Sequence, residues 1–376
     1  MPPAKIESVR IRGFRSLADV TLSNLQNATV LIGANGSGKS NLIRFFEMLS
    51  WMLRSRRLAE FVGLQGGADD QLSGGNQVTP RMEAELVLRT EAGCNHYRFA
   101  LAHAHPDRFI FVDEAFRFSA SDFSTNAPWQ HAPTGQPEAA IIDLAQGLPS
   151  QGVNPKTARV IVQLLRGCAV YQFHDTSSTS NFKKCWDVQD NSYLRTHGGN
   201  LSAVLHRLAQ EDIQRLELIS HNIRRVLSVF DSFQIDESYG KVSLRWKPIG
   251  TDKTLGAHLT SDGSLRLFAL VTLLNLPSEM LPNVLLLDEP ELGLHPAAIA
   301  LVGAMIKSLA VDRQIVVATQ SPLLVDAFDL DEITVLELQD GRTTLHKPNS
   351  SEYLRWLEEG FMPGEMWQKN LIGGRP

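Results

Sequence analysis

An α/β fold built on a parallel sheet is predicted for this chain, with an antiparallel β subdomain and an inserted helical lobe beside it. Three observations predict it. An apolar β-type run, Val30-Leu31-Ile32, leads into Gly33-Ala34-Asn35-Gly36-Ser37-Gly38-Lys39-Ser40, a G-x-x-x-x-G-K-S sequence. That sequence opens a helical pattern carried by Leu42, Ile43, Phe46, Leu49 and Leu53. A second continuous apolar run, residues 284–287, reads as a strand buried on both faces and ends in Asp288-Glu289-Pro290. Between them, residues 84–89, 96–101 and 109–118 alternate apolar with polar side chains and carry aromatics, as antiparallel strands do.

The glycine-rich loop has a mechanism in this strand–loop–helix setting. Gly33, Gly36 and Gly38 let backbone N–H groups turn inward around phosphate oxygens, and the helix start adds partial positive charge. Asn35 and Ser37 lie in the same loop. Lys39 is placed to reach β- and γ-phosphates, and the Ser40 hydroxyl to sit on Mg²⁺. The expected ligands are a nucleoside triphosphate and Mg²⁺. Asp288, at the end of its strand, suits the Mg²⁺ shell because hard cations take oxygen ligands. Glu289, the next residue, is placed to polarise a water for attack on the γ-phosphate.

Lys39-Ser40, the run Asp288-Glu289-Pro290-Glu291-Leu292-Gly293-Leu294-His295-Pro296 and the segment Ala318-Thr319-Gln320-Ser321-Pro322 together resemble the ABC-type ATPases of the RecF and OLD group. Within that group the chain is similar to the stand-alone RecF-like predicted AAA-family ATPases, whose opening strand ends in a Phe-Arg-Ser element, present as Phe14-Arg15-Ser16. The resemblance covers nearly the whole chain. It implies a P-loop NTPase of ABC type with ATP as the nucleotide. It also implies nucleotide contacts from Arg15, Ser16 and Asn41, and a dimer or higher oligomer that sandwiches ATP head to tail. Nucleotide state would then be coupled to action on DNA or on a partner protein.

Such ATPases complete each site with a signature segment from the opposite subunit, and two segments are candidates. Leu72-Ser73-Gly74-Gly75-Asn76-Gln77 is textually closer to the LSGGQ form, but it lies in a Gly/Asp/Asn/Gln loop before any helical lobe. Leu259-Thr260-Ser261-Asp262-Gly263-Ser264-Leu265-Arg266 opens an apolar helical run ahead of Asp288, and a serine hydroxyl with a glycine amide at a helix N-terminus suits a trans γ-phosphate. Ser261 and Gly263 are therefore chosen and residues 72–77 set aside as a decoy. Where the family commonly has a switch histidine, the chain has Gln320, which can donate a hydrogen bond but cannot become a cation or shuttle a proton. A lobe-joining glutamine that touches Mg²⁺ is also implied; Gln172 is the candidate, with His174 as its rival.

The 376 residues suffice for one large or two ordinary domains, and 43% hydrophobic with 20% charged content is ordinary for a globular chain. The motifs divide it into residues 1–170 (first nucleotide-binding lobe with the β subdomain), 171–258 (helical lobe and connecting segments) and 259–376 (signature, Asp288-Glu289 and switch half). Residues 61–80 read as a flexible loop, 119–158 as loop around a short helix near 141–144, and 200–230 as helical. No apolar stretch is long enough to span a bilayer and the opening lacks a signal peptide's apolar core, so a cytoplasmic protein without a membrane partner is expected. Cys94, Cys168 and Cys185 have no metal or redox spacing and read as reduced; alternation around Cys94, His96, His103 and His105 favours strands over a zinc site. A net charge of −5 gives no global attraction to nucleic acid, leaving Arg54/Arg56/Arg57, Lys183/Lys184 and Arg224/Arg225 as local candidates for double-stranded DNA. The segment after Pro322 is too short for the Toprim-type nuclease of OLD relatives, so any nuclease effector is expected in trans. The reading is an ATP-driven switch controlling a DNA-directed effector in phage defence or repair; the competing one is a slow ATPase scaffold sensing a protein trigger.

Overall fold

The computed structural model describes residues 5–120, 127–147 and 154–375. Two six-stranded sheets organise them. The first is antiparallel throughout and runs β2-β1-β4-β5-β6-β7, with β1 Lys5–Phe14, β2 Leu17–Leu22, β4 Arg81–Thr90, β5 Gly93–Ala104, β6 Arg108–Ser119 and β7 Gln130–His131. The second runs β17-β16-β3-β15-β14-β8, with β3 Ala28–Ile32, β8 Cys168–Tyr171, β14 Val284–Asp288, β15 Gln314–Ala318, β16 Ile333–Gln339 and β17 Arg342–His346. Its strands are parallel except for the β16–β17 hairpin. Smaller sheets pair β9 (Trp186–Asp187) with β11 (Lys241–Val242), and β10 (Phe230–Phe233) with β12 (Arg245–Pro248) and β13 (Leu255–Gly256).

Every residue of β3, β14 and β15 is buried, which is why these strands read as unbroken apolar runs. Leu31, Leu286, Val316 and Leu336 face a core shared with α1 (Lys39–Ser50), α2 (Leu58–Leu64), α3 (Ile141–Ala145), α4 (Pro155–Arg166) and the inner side of the antiparallel sheet. Val30, Leu285, Leu287 and Val317 face a second core. It is filled by α5 (Leu201–Glu211), α6 (Ile213–Arg224), α7 (Asp262–Leu274), α8 (Pro296–Leu309), α9 (Pro322–Val325) and the Trp367 side of α11 (Pro363–Gln368), which follows α10 (Leu354–Glu358). The two sheets are joined by polar ties. The buried Gln314 amide exchanges both hydrogen bonds with the Ile6 backbone (2.8 Å each), and Thr343 N donates to Ser16 O at 2.8 Å.

The antiparallel strands lie where alternation predicted them, extended by a few residues at each end. Three expectations change. Residues 61–80 are not a flexible loop: α2 runs to Leu64, and fully buried Gln71 donates to the carbonyls of Gln65 (2.7 Å) and Gly67 (3.3 Å), pinning the chain beyond the helix. The helical reading of 200–230 splits at Asp212, whose side chain caps α6 through Arg215 N, and the chain leaves helix after Arg224 to enter β10 at Phe230. The loop expected over 119–158 contains β7 and ends at Pro155, which opens α4 behind an Asn154 cap. Residues 121–126 and 148–153 of that loop lie outside the described residues.

Candidate nucleotide site

Four neighbouring parallel strands deliver their C-terminal ends to one place, where ligands bind in open α/β sheets. β3 leads into the Gly33–Lys39 loop, β8 into Gln172, β14 ends at Asp288, and β15 leads to Thr319 and Gln320. In register, Leu287 sits beside Tyr171 and Asp288 beside Ala318, so Gln172 and Asp288 emerge side by side.

The loop after β3 is shaped by glycines. Gly36 (φ 79°) and Gly38 (φ 105°) hold left-handed backbone, and a Cβ at Gly36 would meet nothing within 4 Å, leaving an open cradle. Gly38 serves as the N-cap of α1 with no side-chain cap, so the helix's first N–H groups are not consumed by a serine or aspartate. Lys39 Nζ donates to Gly33 O (2.5 Å) and Ala34 O (3.0 Å); burial lowers its pKa, opposed by the charges of Glu289, Asp288 and Glu291. Ser40 is exposed, and the Ser37 hydroxyl is buried without a hydrogen-bond partner among the described residues. Asn41 Nδ2 donates to Ser16 Oγ (2.8 Å), which pairs with Thr343 Oγ1 (2.7 Å); Thr343 in turn donates to Ser37 O (3.0 Å). Gly38 lies so close to Thr343 Oγ1 and Ser16 that any side chain there would strike both.

Arg15 is placed differently from Ser16. It turns with φ 49°, and its guanidinium donates to Gln71 Oε1 (3.0 Å) and Gln65 Oε1 (3.3 Å) while half-buried, which lowers its pKa. Its hydrogen bonds therefore go to the segment after α2, whereas Ser16 joins the phosphate loop's network.

The carboxylates form a connected set. Gln172 Nε2 donates to Asp288 Oδ2 (2.8 Å), and His174 Nε2 pairs with Asp288 O (3.0 Å), so the two rivals for the lobe-joining role both touch Asp288. Burial raises the Asp288 pKa, the signature of a carboxylate held away from water. Glu289 adopts φ 44°, a left-handed conformation that costs a non-glycine residue on the order of 1 kcal/mol and turns it sharply off the strand end. Gln320 Nε2 donates to Glu289 Oε1. Glu291 accepts from Thr319 Oγ1 (2.6 Å) and Gln320 N (3.0 Å), while its Oε2 is buried without a partner among the described residues; burial raises its pKa. Asp288 and Ser40 carry the oxygen donors that suit a hard divalent cation, which takes few protein carboxylates beside phosphates and water; among the described residues no group of three or more His, Cys, Asp or Glu side chains could hold a metal.

The two signature candidates separate cleanly. Ser73 donates its hydroxyl to Arg15 O (2.5 Å) and its amide to Gly13 O (3.1 Å), and no helix follows it. Ser261 is exposed and caps the 13-residue α7, accepting from Ser264 N at 3.2 Å. A Cβ on Gly263 would stand 2.6 Å from Gly293 O, so this glycine also lets α7 pack against the segment after Glu291.

Lys39, Asp288, Glu289, Gln172 and Gln320 are thus brought together, with Ser261 and Gly263 at the start of a separate helix. Sequence reasoning missed Thr343, Glu291 and Arg266. Glu291 stood in the acidic run and could have been asked for a partner; Thr343 carries no local signal. Among the described residues Cys94, Cys168 and Cys185 form no disulfide, and Cys94 and His96 lie on β5 with His103 bonded to Asp107 (3.1 Å). Much of the basic charge is engaged: Arg56 with Asp143 (2.6 and 2.7 Å), Arg54 on the Tyr193 ring (4.7 Å), Lys183 with Thr176 O (2.7 Å), Arg224 with Asp231 O (2.9 Å).

Known proteins share this architecture. An SMC head bound to the C-winged helix domain of ScpA superposes with TM-score 0.59 at 15% identity, covering 93% of this chain and 99% of that one. An Smc head with an extended coiled coil, bound to the C-terminal domain of ScpA derived from Pyrococcus furiosus, gives 0.57 at 15% identity over 95% and 99%. The fold is that of ABC-type P-loop ATPases. Two family models match: "AAA ATPase domain" over residues 5–67 and "AAA domain, putative AbiEii toxin, Type IV TA system" over residues 170–326. DNA replication and repair protein RecF from Anaeromyxobacter sp. (strain K) is 37% identical over 91 residues, and RecF from Anaeromyxobacter dehalogenans (strain 2CP-C) 43% over 91 residues. Each match spans 24% of this chain and 24% of the relative's length. These matches support a likeness to RecF-like ATPases of the ABC type. Among the described residues no helix is long and apolar enough to cross a membrane.

Proposed function

We propose that the chain binds and hydrolyses ATP as a molecular switch, dimerising head to tail on ATP and controlling a DNA-directed effector in phage defence or DNA repair. The observation that carries this reading is the convergence of the Lys39 loop, Asp288, Glu289, Gln172 and Gln320 at the C-terminal ends of four parallel strands. In it, the amides at the start of α1 and Lys39 would hold the phosphates, and Ser40, Asp288 and Gln172 would hold Mg²⁺. The cation would neutralise phosphate charge and fix the γ-phosphoryl group. Glu289 orients and deprotonates the attacking water while Gln320 positions its carboxylate; Ser261 and the N–H groups of α7 complete the site from a second copy.

The test is steady-state ATP turnover of the purified chain against Glu289→Gln, with dimerisation followed by light scattering. Turnover should fall about 100-fold or more in the variant, while ATP-dependent dimers persist or accumulate. Equal turnover in both proteins would end the switch mechanism. Double-stranded DNA that stimulates turnover, with the effect lost as salt rises, assigns the DNA-directed role to this chain. Turnover indifferent to DNA assigns it to a partner protein.

One observation favours the second reading, a slow ATPase scaffold that senses a protein trigger. Gln320 occupies Glu289 through an amide hydrogen bond and has no proton to shuttle. Turnover below about one per minute together with stable ATP-bound dimers would select it.

A further inference from the structure

Arg266 lies in the second turn of α7, five residues beyond Ser261, and its guanidinium grips two other segments at once. Nε donates to Phe173 O (3.1 Å), and Nη2 to His174 O (2.9 Å) and Thr176 Oγ1 (3.3 Å). Nη1 donates to Leu292 O (3.3 Å). All four acceptors are neutral oxygens, so this is a geometric clamp rather than an ion pair. The same side chain lines a small cleft with His174, Asp288 and Glu289. Gly293 stands so close to Nη1 that a Cβ there would strike it, and Gly263 packs on Gly293 O. Two backbone contacts and four hydrogen bonds thus fasten the start of α7 to residues 173–176 and to the turn after Glu291.

The fastened 173–176 stretch includes His174 and directly follows Gln172, the two residues that contact Asp288. Gln172 holds the Asp288 carboxylate and His174 the Asp288 carbonyl, at 2.8 and 3.0 Å. A displacement of Gln172 toward a cation at Asp288 would drag the 173–176 backbone, and with it the guanidinium and the first turn of α7. We infer that Arg266 is a positioning residue that transmits the state of the Asp288–Gln172 pair to the Ser261 end of α7, so that a subunit offers Ser261 to its partner only when its own site is filled. The inference rests on the switch reading above. Arg266 touches no reacting atom; it acts through the backbone of Phe173, His174 and Leu292. A rigid five-donor fork is the side chain that can meet three carbonyls on two segments, which an ammonium cannot reproduce.

Arg266→Ala and Arg266→Lys, compared with wild type, test it in three measurements on the full chain: thermal unfolding, affinity for a fluorescent ATP analogue with Mg²⁺ at concentrations where the chain is monomeric, and ATP-dependent dimerisation with turnover. The expected result is a nucleotide affinity within about 3-fold of wild type in both variants, while dimerisation and turnover fall about 20-fold or more in Arg266→Ala and about 10-fold in Arg266→Lys. Turnover and dimerisation that stay close to wild type in Arg266→Ala overturn the inference. A parallel loss of nucleotide affinity and fold overturns it too, in favour of a purely structural clamp. If Arg266→Ala does not fold, Arg266→Lys decides on the same criteria. A wild-type chain that neither dimerises nor turns over ATP breaks the switch reading itself; a working wild-type switch that both variants preserve breaks the role of Arg266 alone.

Discussion

Two serine–glycine segments of this chain look alike as text and differ in every physical respect. Residues 72–77 spell Leu-Ser-Gly-Gly-Asn-Gln, yet Ser73 spends hydroxyl and amide on the β1–β2 turn, at Arg15 O and Gly13 O. Residues 259–266 match the motif less well, yet Ser261 stands exposed at the head of a 13-residue helix. An anion site needs an accessible helix start, and not the letters that usually surround it. The first segment is a strut of the antiparallel lobe; the second is an exposed helix start.

Substitutions can break this contrast. Ser261→Arg should abolish ATP-dependent dimers and lower turnover by about 100-fold or more, with thermal stability close to wild type because one exposed cap is lost. Light scattering with ATP is the measurement, and dimers that persist would reassign the signature. Glu114 offers a control within the lobe of residues 72–77. It is fully buried on β6, accepts from the Tyr97 hydroxyl and from the N–H groups of Ala140 and Ile141, and burial pushes its carboxyl up to about 7. The folded state keeps a proton that the unfolded state releases near 4.5. Stability should therefore fall as pH rises from about 4.5 to about 7, by about 3 kcal/mol at most. Urea unfolding of wild type and Glu114→Gln from about pH 5 to about pH 8 checks the sign: the variant should lose that slope and keep its turnover.

Gly263→Ala tests the packing beneath the signature, since its Cβ would sit 2.6 Å from Gly293 O. About 2 kcal/mol of stability and several-fold in turnover should go together; a variant unchanged in both would show that α7 can shift freely. The smallest effect belongs to Ser73→Ala. Loss of its hydrogen bond to Arg15 O should cost about 1 kcal/mol in unfolding and leave ATP-dependent dimerisation intact, the opposite profile to Ser261→Arg.

How much was legible depended on whether a side chain's role is local. The strand–loop–helix setting of Gly33–Ser40 could be read because it lies between a strand and a helix whose patterns are each unambiguous. The Gln172 assignment rested on resemblance, and His174 could not be separated from it; both reach Asp288, one by its carboxylate and one by its carbonyl. The flexible-loop reading of 61–80 failed because glycine content reports freedom in the unfolded chain, whereas Gln71 folds the chain back onto the Gln65 carbonyl and Ser73 binds the Arg15 carbonyl, which the sequence does not place nearby.

Short-range chemistry was therefore settled by the sequence itself: an apolar strand ending in Asp288-Glu289, a P-loop ending in Lys39-Ser40, a serine cap before an apolar helix, and alternating strands for the β subdomain. Only the tertiary structure decided which distant groups share a hydrogen bond. Thr343 reaches Ser16 and Ser37 from the far end of the chain, Gln314 ties β15 to β1, and Arg266 fastens α7 to the backbone beside Asp288. The reason is physical: periodicity and capping are properties of neighbouring residues, while the partner of a buried donor is chosen by how two cores and two sheets close around it.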